Sequence, residues 1–199
     1  MKVDIKIEGI KELMAKLDPN KVRLAANSAL NKTADQAKTE ASKQIRTEYN
    51  IKASDVNKNM RVTSRARGNQ MEAEITGTKR GMALSYFGAK QTGVIANKKT
   101  FRMTRRAVGG RGGAVSVEVR KGGRKTVSTD PSAFITRFKS GHLAVVQREG
   151  KSRFPIKQLM GPGIALLFGS KKIMDATKRL INRKFNEIFK HELEYRLKK

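Results

Sequence analysis

Cysteine is missing from the 199 residues, so the chain can form neither disulfides nor thiolate metal sites. A chain of this length can bury a core without such staples, and the composition fits a reducing compartment or indifference to redox state. Long apolar runs are also missing. The longest, Ile164 to Phe168, falls far short of the ~20 residues that span a bilayer, and the N-terminus alternates charged with apolar residues instead of forming a signal-peptide core. A soluble protein with no membrane partner is expected. Histidine occurs twice, at His142 and His191, far apart and without cysteine to help hold zinc. Acidic residues are scarce as well, with 17 Asp+Glu against 44 Lys+Arg and a formal net charge of +27.

That excess exceeds the net charge of about 2–8 that solubility requires, and it is uneven. Residues 1–50 carry 10 basic and 7 acidic groups, residues 51–169 carry 24 and 6, and residues 170–199 carry 10 and 4. The middle of the chain holds the field, which draws nucleic acid or an acidic protein surface and repels further copies of the chain. Between Lys98 and Lys125 stand ten basic residues, Lys98, Lys99, Arg102, Arg105, Arg106, Arg111, Arg120, Lys121, Arg124 and Lys125, against Glu118 alone. These are the candidate contacts to DNA or to a partner. Phe101 is the one aromatic in that stretch, and no helix-turn-helix, zinc-finger or RNA-recognition signature accompanies it, so DNA contact would be directed at the backbone and blind to sequence.

Periodicity sets the expected elements. Val3, Ile5 and Ile7 alternate as a short strand, and Ile10, Leu13, Met14 and Leu17 follow at helical spacing. Asp18-Pro19 reads as an N-cap followed by proline at the first helical position. From there to about Tyr49 runs a helix without internal Gly or Pro, striped by Val22, Ala26, Leu30, Ala34, Ala37, Ala41, Ile45 and Tyr49. The alanine stripe is read as packing. Ser54 to Met60 is a short helix with Ser54 as its cap. Val62 and Ser64, a turn at Arg67-Gly68-Asn69, and alternating Met71, Ala73 and Ile75 form a hairpin. Strands are expected at Val115–Val119, Thr126–Val127, Phe134–Phe138 and Leu143–Gln147, with Gly122-Gly123 as a turn.

A helix follows from about Ser170, with Ile173, Met174, Leu180, Ile181, Phe185, Ile188 and Tyr195 on one side. Phe189, Leu193 and Leu197 drift toward another side and are candidate subunit contacts, a fraying end being the other reading. Residues 104–113, rich in Gly and Arg, form a mobile basic loop in what is expected to be one domain over residues 1–199. The fold class is α+β, a mostly antiparallel sheet flanked by a long N-terminal helix and a C-terminal helix.

No catalytic constellation emerges. Ser140-Gly141-His142 lacks an orienting acid. Gly150-Lys151-Ser152 ends like a P-loop but has Val145 where the first glycine belongs, and the glycines at 109, 110, 112 and 113 do not make a dinucleotide-binding motif. Glu72 and Glu74 read as the solvated face of a strand. An enzyme is not expected, and no cofactor is implied.

Two blocks carry a resemblance. One is Ala29-Leu-Asn-Lys-Thr33, continuing through residues 37–42 to Ile45-Arg46 and Tyr49–Val56. The other joins Ala133-Phe-Ile135, Ser140-Gly-His142, Arg148-Glu-Gly-Lys151 and the run Phe154 to Pro162. Together they resemble the minor tail protein Z family of tailed phages and prophages, over most of the chain from about residue 20 to the final helix. The resemblance implies a virion protein made in the host bacterial cytoplasm. It would act in tail completion and head–tail joining, as a homo-oligomeric ring that contacts other tail or neck proteins, with nonspecific DNA contact in the conduit. It also implies no catalytic residues, and it makes Asn31, Ser140, His142, Arg148, Lys151, Pro155, Gly161 and Pro162 determinants of fold and interface. The rival reading is a sequence-nonspecific nucleic-acid-binding protein, which accounts for the charge but not for the second block.

Overall fold

The computed structural model describes residues 16–92, 94–96, 103–105 and 113–198. The expected strand at residues 3–7 and the start of the helix after it lie outside these. The chain divides into two compact units, one of residues 1–45, 56–79 and 164–199, the other of residues 46–55 and 80–163. The class is α+β, with small antiparallel sheets, a long N-terminal helix and a C-terminal helix.

In the first unit, helix α1 spans Pro19–Glu48, its last three residues being counted with the second unit. At 1.5 Å per residue its 30 residues make a rod of about 45 Å. Asp18 caps it as the sequence indicates, its carboxylate accepting the Asn20 N–H at 2.8 Å and the Lys21 N–H at 3.4 Å. Every member of the predicted stripe is buried, from Val22 to Tyr49. The buried face is wider than the stripe and takes in Ala25, Asn27, Ala29, Thr33 and Ser42. Alanine supplies helix propensity at no rotamer cost and lets neighbouring elements come close.

Two asparagines on this helix hold the connection that follows. Asn31 makes a two-point clamp on Ala66, donating to its carbonyl at 3.0 Å and accepting its N–H at 2.8 Å. Asn27 donates to the Gly68 carbonyl at 2.9 Å.

Helix α2 is Ala53–Asn59, one residue earlier than expected, so Ser54 lies inside its first turn instead of capping it. Met60 opens strand β1, Met60–Ser64, which pairs antiparallel with β2, Glu74–Gly77. Between them Arg67 and Gln70 bridge across a turn in which Gly68 takes φ +57°. Met71 and Ala73 precede the ladder, yet both pack against the core of α1.

Helix α3, Ile164–Phe168, lies so close to β2 that a Cβ on Gly77 would stand 2.9 Å from the Ala165 nitrogen. Helix α4, Lys171–Leu197, buries Ile173, Met174, Thr177, Ile181 and Phe185. Phe185 joins Ala29, Leu30 and Ala34, while Leu193 packs on Val22 and Ala26, so α4 runs past α1 in the opposite sense. Tyr195, expected on the buried side, is 53% exposed, and Glu192 is buried in its place.

The second unit is built from short antiparallel strands. A 3-10 helix at Leu84–Phe87 leads to β3, Lys90–Gln91, then to the hairpin of β4, Val94–Ala96, and β5, Met103–Arg105. β6, Val115–Val117, lies between β3 and β7, Lys125–Thr126. β8, Phe134–Arg137, β9, Leu143–Arg148, and β10, Ile156–Gln158, form a second three-stranded sheet with β9 central. Val115, Val117, Ala133 and Val145 form a buried cluster with Leu84, Ile135 and Leu159 against it. A Cβ on Gly161 would stand 2.9 Å from Phe87 Cε2, so a side chain there forces its neighbours to shift.

Candidate interaction surface

Charge is concentrated in the second unit. Its residues include 20 Lys+Arg and 5 Asp+Glu, a net +15, against 24 and 12, a net +12, in the first. Of the ten basic candidates, Lys98, Lys99, Arg102, Arg106 and Arg111 lie outside the described residues, and Arg105 lies in β5, its backbone paired with Val94. Residue 104, the start of the predicted loop, belongs to the same strand.

Of the remaining four, Arg120, Lys121 and Arg124 stand on the connection between β6 and β7, and Lys125 opens β7. Gly122, at φ +74°, allows that connection, and the Gly123 N–H closes it on the Arg120 carbonyl at 3.1 Å. The four are not equivalent. Arg124 donates to the carbonyls of Gly88 at 3.0 Å and Ser116 at 3.3 Å, and its second nitrogen reaches Glu118 at 3.2 Å. Glu118 also accepts the Gly122 N–H at 2.9 Å. Arg124 and Glu118 therefore lock the turn, and the guanidinium is committed within its own unit. The guanidinium of Arg120 lies over the Tyr49 ring, 5.9 Å from its centroid. Lys121 and Lys125 are exposed, and the Lys121 N–H anchors to the Glu48 carbonyl at 3.0 Å. The turn thus presents two lysines outward on a frame built by its arginines.

Ser140-Gly141-His142 forms the tip of the β8–β9 hairpin. The Phe138 N–H donates to the His142 carbonyl and the Gly141 N–H to the Phe138 carbonyl, both at 2.9 Å. The His142 ring stacks on Phe138 and shares a hydrogen bond with Gln158. Among the described residues no group of three His, Cys, Asp or Glu side chains could hold a metal ion. No helix among them is long and apolar enough to cross a membrane.

The candidate subunit contacts at the C-terminus separate. Phe189, half-buried and stacked on Phe185, and Leu193 pack against the start of α1. Leu197 is 44% exposed. Between them lies Glu192, buried in an otherwise apolar stripe and held by Lys32 of α1 and by Arg196 one turn on. Burial pushes its carboxyl up, but hydrogen bonds from Lys32, Arg196 and Ser28 outweigh that and hold it at about 2. The sequence offers the i,i+4 spacing to Arg196, but the partner that joins this group to α1, Lys32, is 160 positions away.

Two exposed aromatics also escaped the reading for sites. Phe138 is 38% exposed at the hairpin tip, and Phe154 is 63% exposed in the β9–β10 connection. In the sequence the second opens the run Phe154 to Pro162 of the second block, after a stretch of polar loop residues.

Comparison with curated proteins returns no match, and neither does comparison with solved structures. A family profile described as Prophage minor tail protein Z (GPZ) matches residues 7–199. That span takes in both blocks that carried the resemblance and all the described structure, and the chain therefore belongs to the prophage minor tail protein Z family, as a structural protein of the phage tail.

Proposed function

We propose that this tail protein acts in tail completion and head–tail joining, as a closed ring of its own copies seated on other tail or neck proteins. In this reading the basic surface of the second unit faces an acidic protein neighbour or the DNA path. The supporting observation is the composition of that unit, with 20 basic groups against 5 acidic ones. One of those acids, Glu118, is engaged by Arg124, and lysines are left outward at the β6–β7 turn. A field of that sign attracts polyanions and opposes self-association, so a ring needs neutralisation by its seat or by salt.

The test is the mass of nuclease-treated protein by light scattering at moderate and high salt, followed by negative-stain imaging of the same sample. A discrete closed oligomer with a visible ring is expected. Reversing charge in a Lys121→Glu, Lys125→Glu double variant should leave thermal unfolding unchanged and weaken attachment to tails purified from particles lacking this protein. Arg124→Ala, by contrast, should lower the unfolding temperature. A clean monomer that binds any duplex avidly, with a steep salt dependence, would replace the ring with the nucleic-acid-coating reading.

A further inference from the structure

The connection between β9 and β10, residues 149–155, is closed on itself. The Glu149 N–H donates to the Pro155 carbonyl at 3.1 Å, and Arg148 donates to the Ser152 carbonyl at 3.2 Å. The Arg148 guanidinium in turn lies 5.2 Å from the centroid of the Phe134 ring, which ties the base of the loop to the sheet. Closing the base of the loop removes part of the freedom that binding would otherwise cost.

What the loop presents is Phe154, at 63% exposure the most exposed aromatic among the described residues. Lys151 and Arg153 are exposed beside it, and Glu149 is the one acid of the loop. The Arg153 guanidinium lies 5.7 Å from the Phe154 ring centroid. An exposed aromatic on a closed loop with cations beside it is the form taken by interface anchors, in which a buried ring supplies affinity and rim charges select the partner.

We propose that this loop is a docking finger. Phe154 enters an apolar pocket on another tail or neck protein, and Lys151 and Arg153 meet carboxylates on the pocket's rim. The proposal rests on the tail-assembly reading above. Charge selects the occupant. A second copy of the chain carries 44 basic groups against 17 acids, so a carboxylate-rimmed pocket points to a different, more acidic chain. Single-stranded nucleic acid is matched by several aromatics in series along a groove, whereas here one ring stands alone with a guanidinium already near it.

The experiment uses full-length protein and tails purified from particles in which this gene is disrupted, with attachment read by co-sedimentation. A random-sequence duplex serves as a parallel probe. Wild type should attach. Phe154→Ala should lose ~10-fold or more in apparent affinity for tails, Phe154→Leu should recover part of that, and a Lys151→Glu, Arg153→Glu variant should lose attachment. Phe138→Ala, an exposed aromatic outside the loop, should behave as wild type. Circular dichroism should show all of them folded. A photo-crosslinking phenylalanine analogue at position 154 should join the protein to one tail component. Wild-type attachment undiminished in Phe154→Ala overturns the finger alone. So does a crosslink to a second copy, or a loss of duplex affinity equal to the loss of tail affinity. If wild type itself fails to attach, the tail-docking reading falls and the finger falls with it.

Discussion

Replacing Glu192 with glutamine tests how the C-terminal helix is held to the long N-terminal one. The carboxylate is 6% exposed, contacts Lys32 and Arg196, and is held at about 2 instead of the usual 4.5. Because the folded value is depressed, the stabilisation is fully present above pH 4.5 and is lost as pH falls toward 2. At roughly 1.4 kcal/mol per pH unit the difference corresponds to about 3 kcal/mol. The Lys32 side chain is 58% exposed, so solvent screening brings the expected value nearer to about 2 kcal/mol. The assay is urea unfolding followed by helical circular dichroism, for wild type and Glu192→Gln, at intervals from pH 7 to pH 2. Other carboxylates titrate over the same range but cancel in the difference between the two proteins. At neutral pH the variant should be less stable by about 2 kcal/mol, and the gap should close progressively between pH 4.5 and pH 2. A gap that is constant across that window would refute the claim that the folded carboxylate is held ionised by its partners. A gap that widens toward acid would invert it.

Two further substitutions probe the frame. Asn31→Ala removes both hydrogen bonds to Ala66 and leaves its N–H and carbonyl without the clamp, so denaturant unfolding should report a loss of about 1–3 kcal/mol. Asn31→Asp keeps the acceptor and should retain part of it. Gly161→Ala places a methyl 2.9 Å from Phe87 Cε2 and 3.1 Å from Leu84 Cδ2, and Phe87 is fully buried, so calorimetry should show a destabilisation of about 1–3 kcal/mol.

The long helix was legible because thirty residues without internal glycine or proline carry one unbroken period, and Asp18-Pro19 marks its start. The hairpins were legible where a turn glycine lies between alternating residues, as at Gly68 and Gly122. Several of the shortest elements were not. The 3-10 helix at Leu84–Phe87 and strands β3 and β10 are too short to show a period, and they form because distant partners complete them. Leu84, for example, donates its N–H to the Leu159 carbonyl. The misplacement of Tyr195 has a related origin. Spacing weighs side chains by polarity, and it discards a glutamate whose charge is neutralised by a lysine on another helix. At the basic turn, sequence supplies the count of cations, but only geometry separates Arg124, engaged by four acceptor atoms, from the lysines beside it.

The alanines along the buried side of the first helix bear on how this gene can drift. Six of them, at 25, 26, 29, 34, 37 and 41, have no exposed surface. Each is bounded in both directions. Glycine costs the helix about 1 kcal/mol, and a larger side chain pushes against close neighbours. Surface lysines on the second unit outside the β9–β10 loop face no such limit and can change place or become arginine while the field persists. Divergent descendants of this gene should therefore keep the small-residue pattern of the rod while the positions of their surface cations scatter, and a comparison that weights those six sites should find kinship after overall identity has faded.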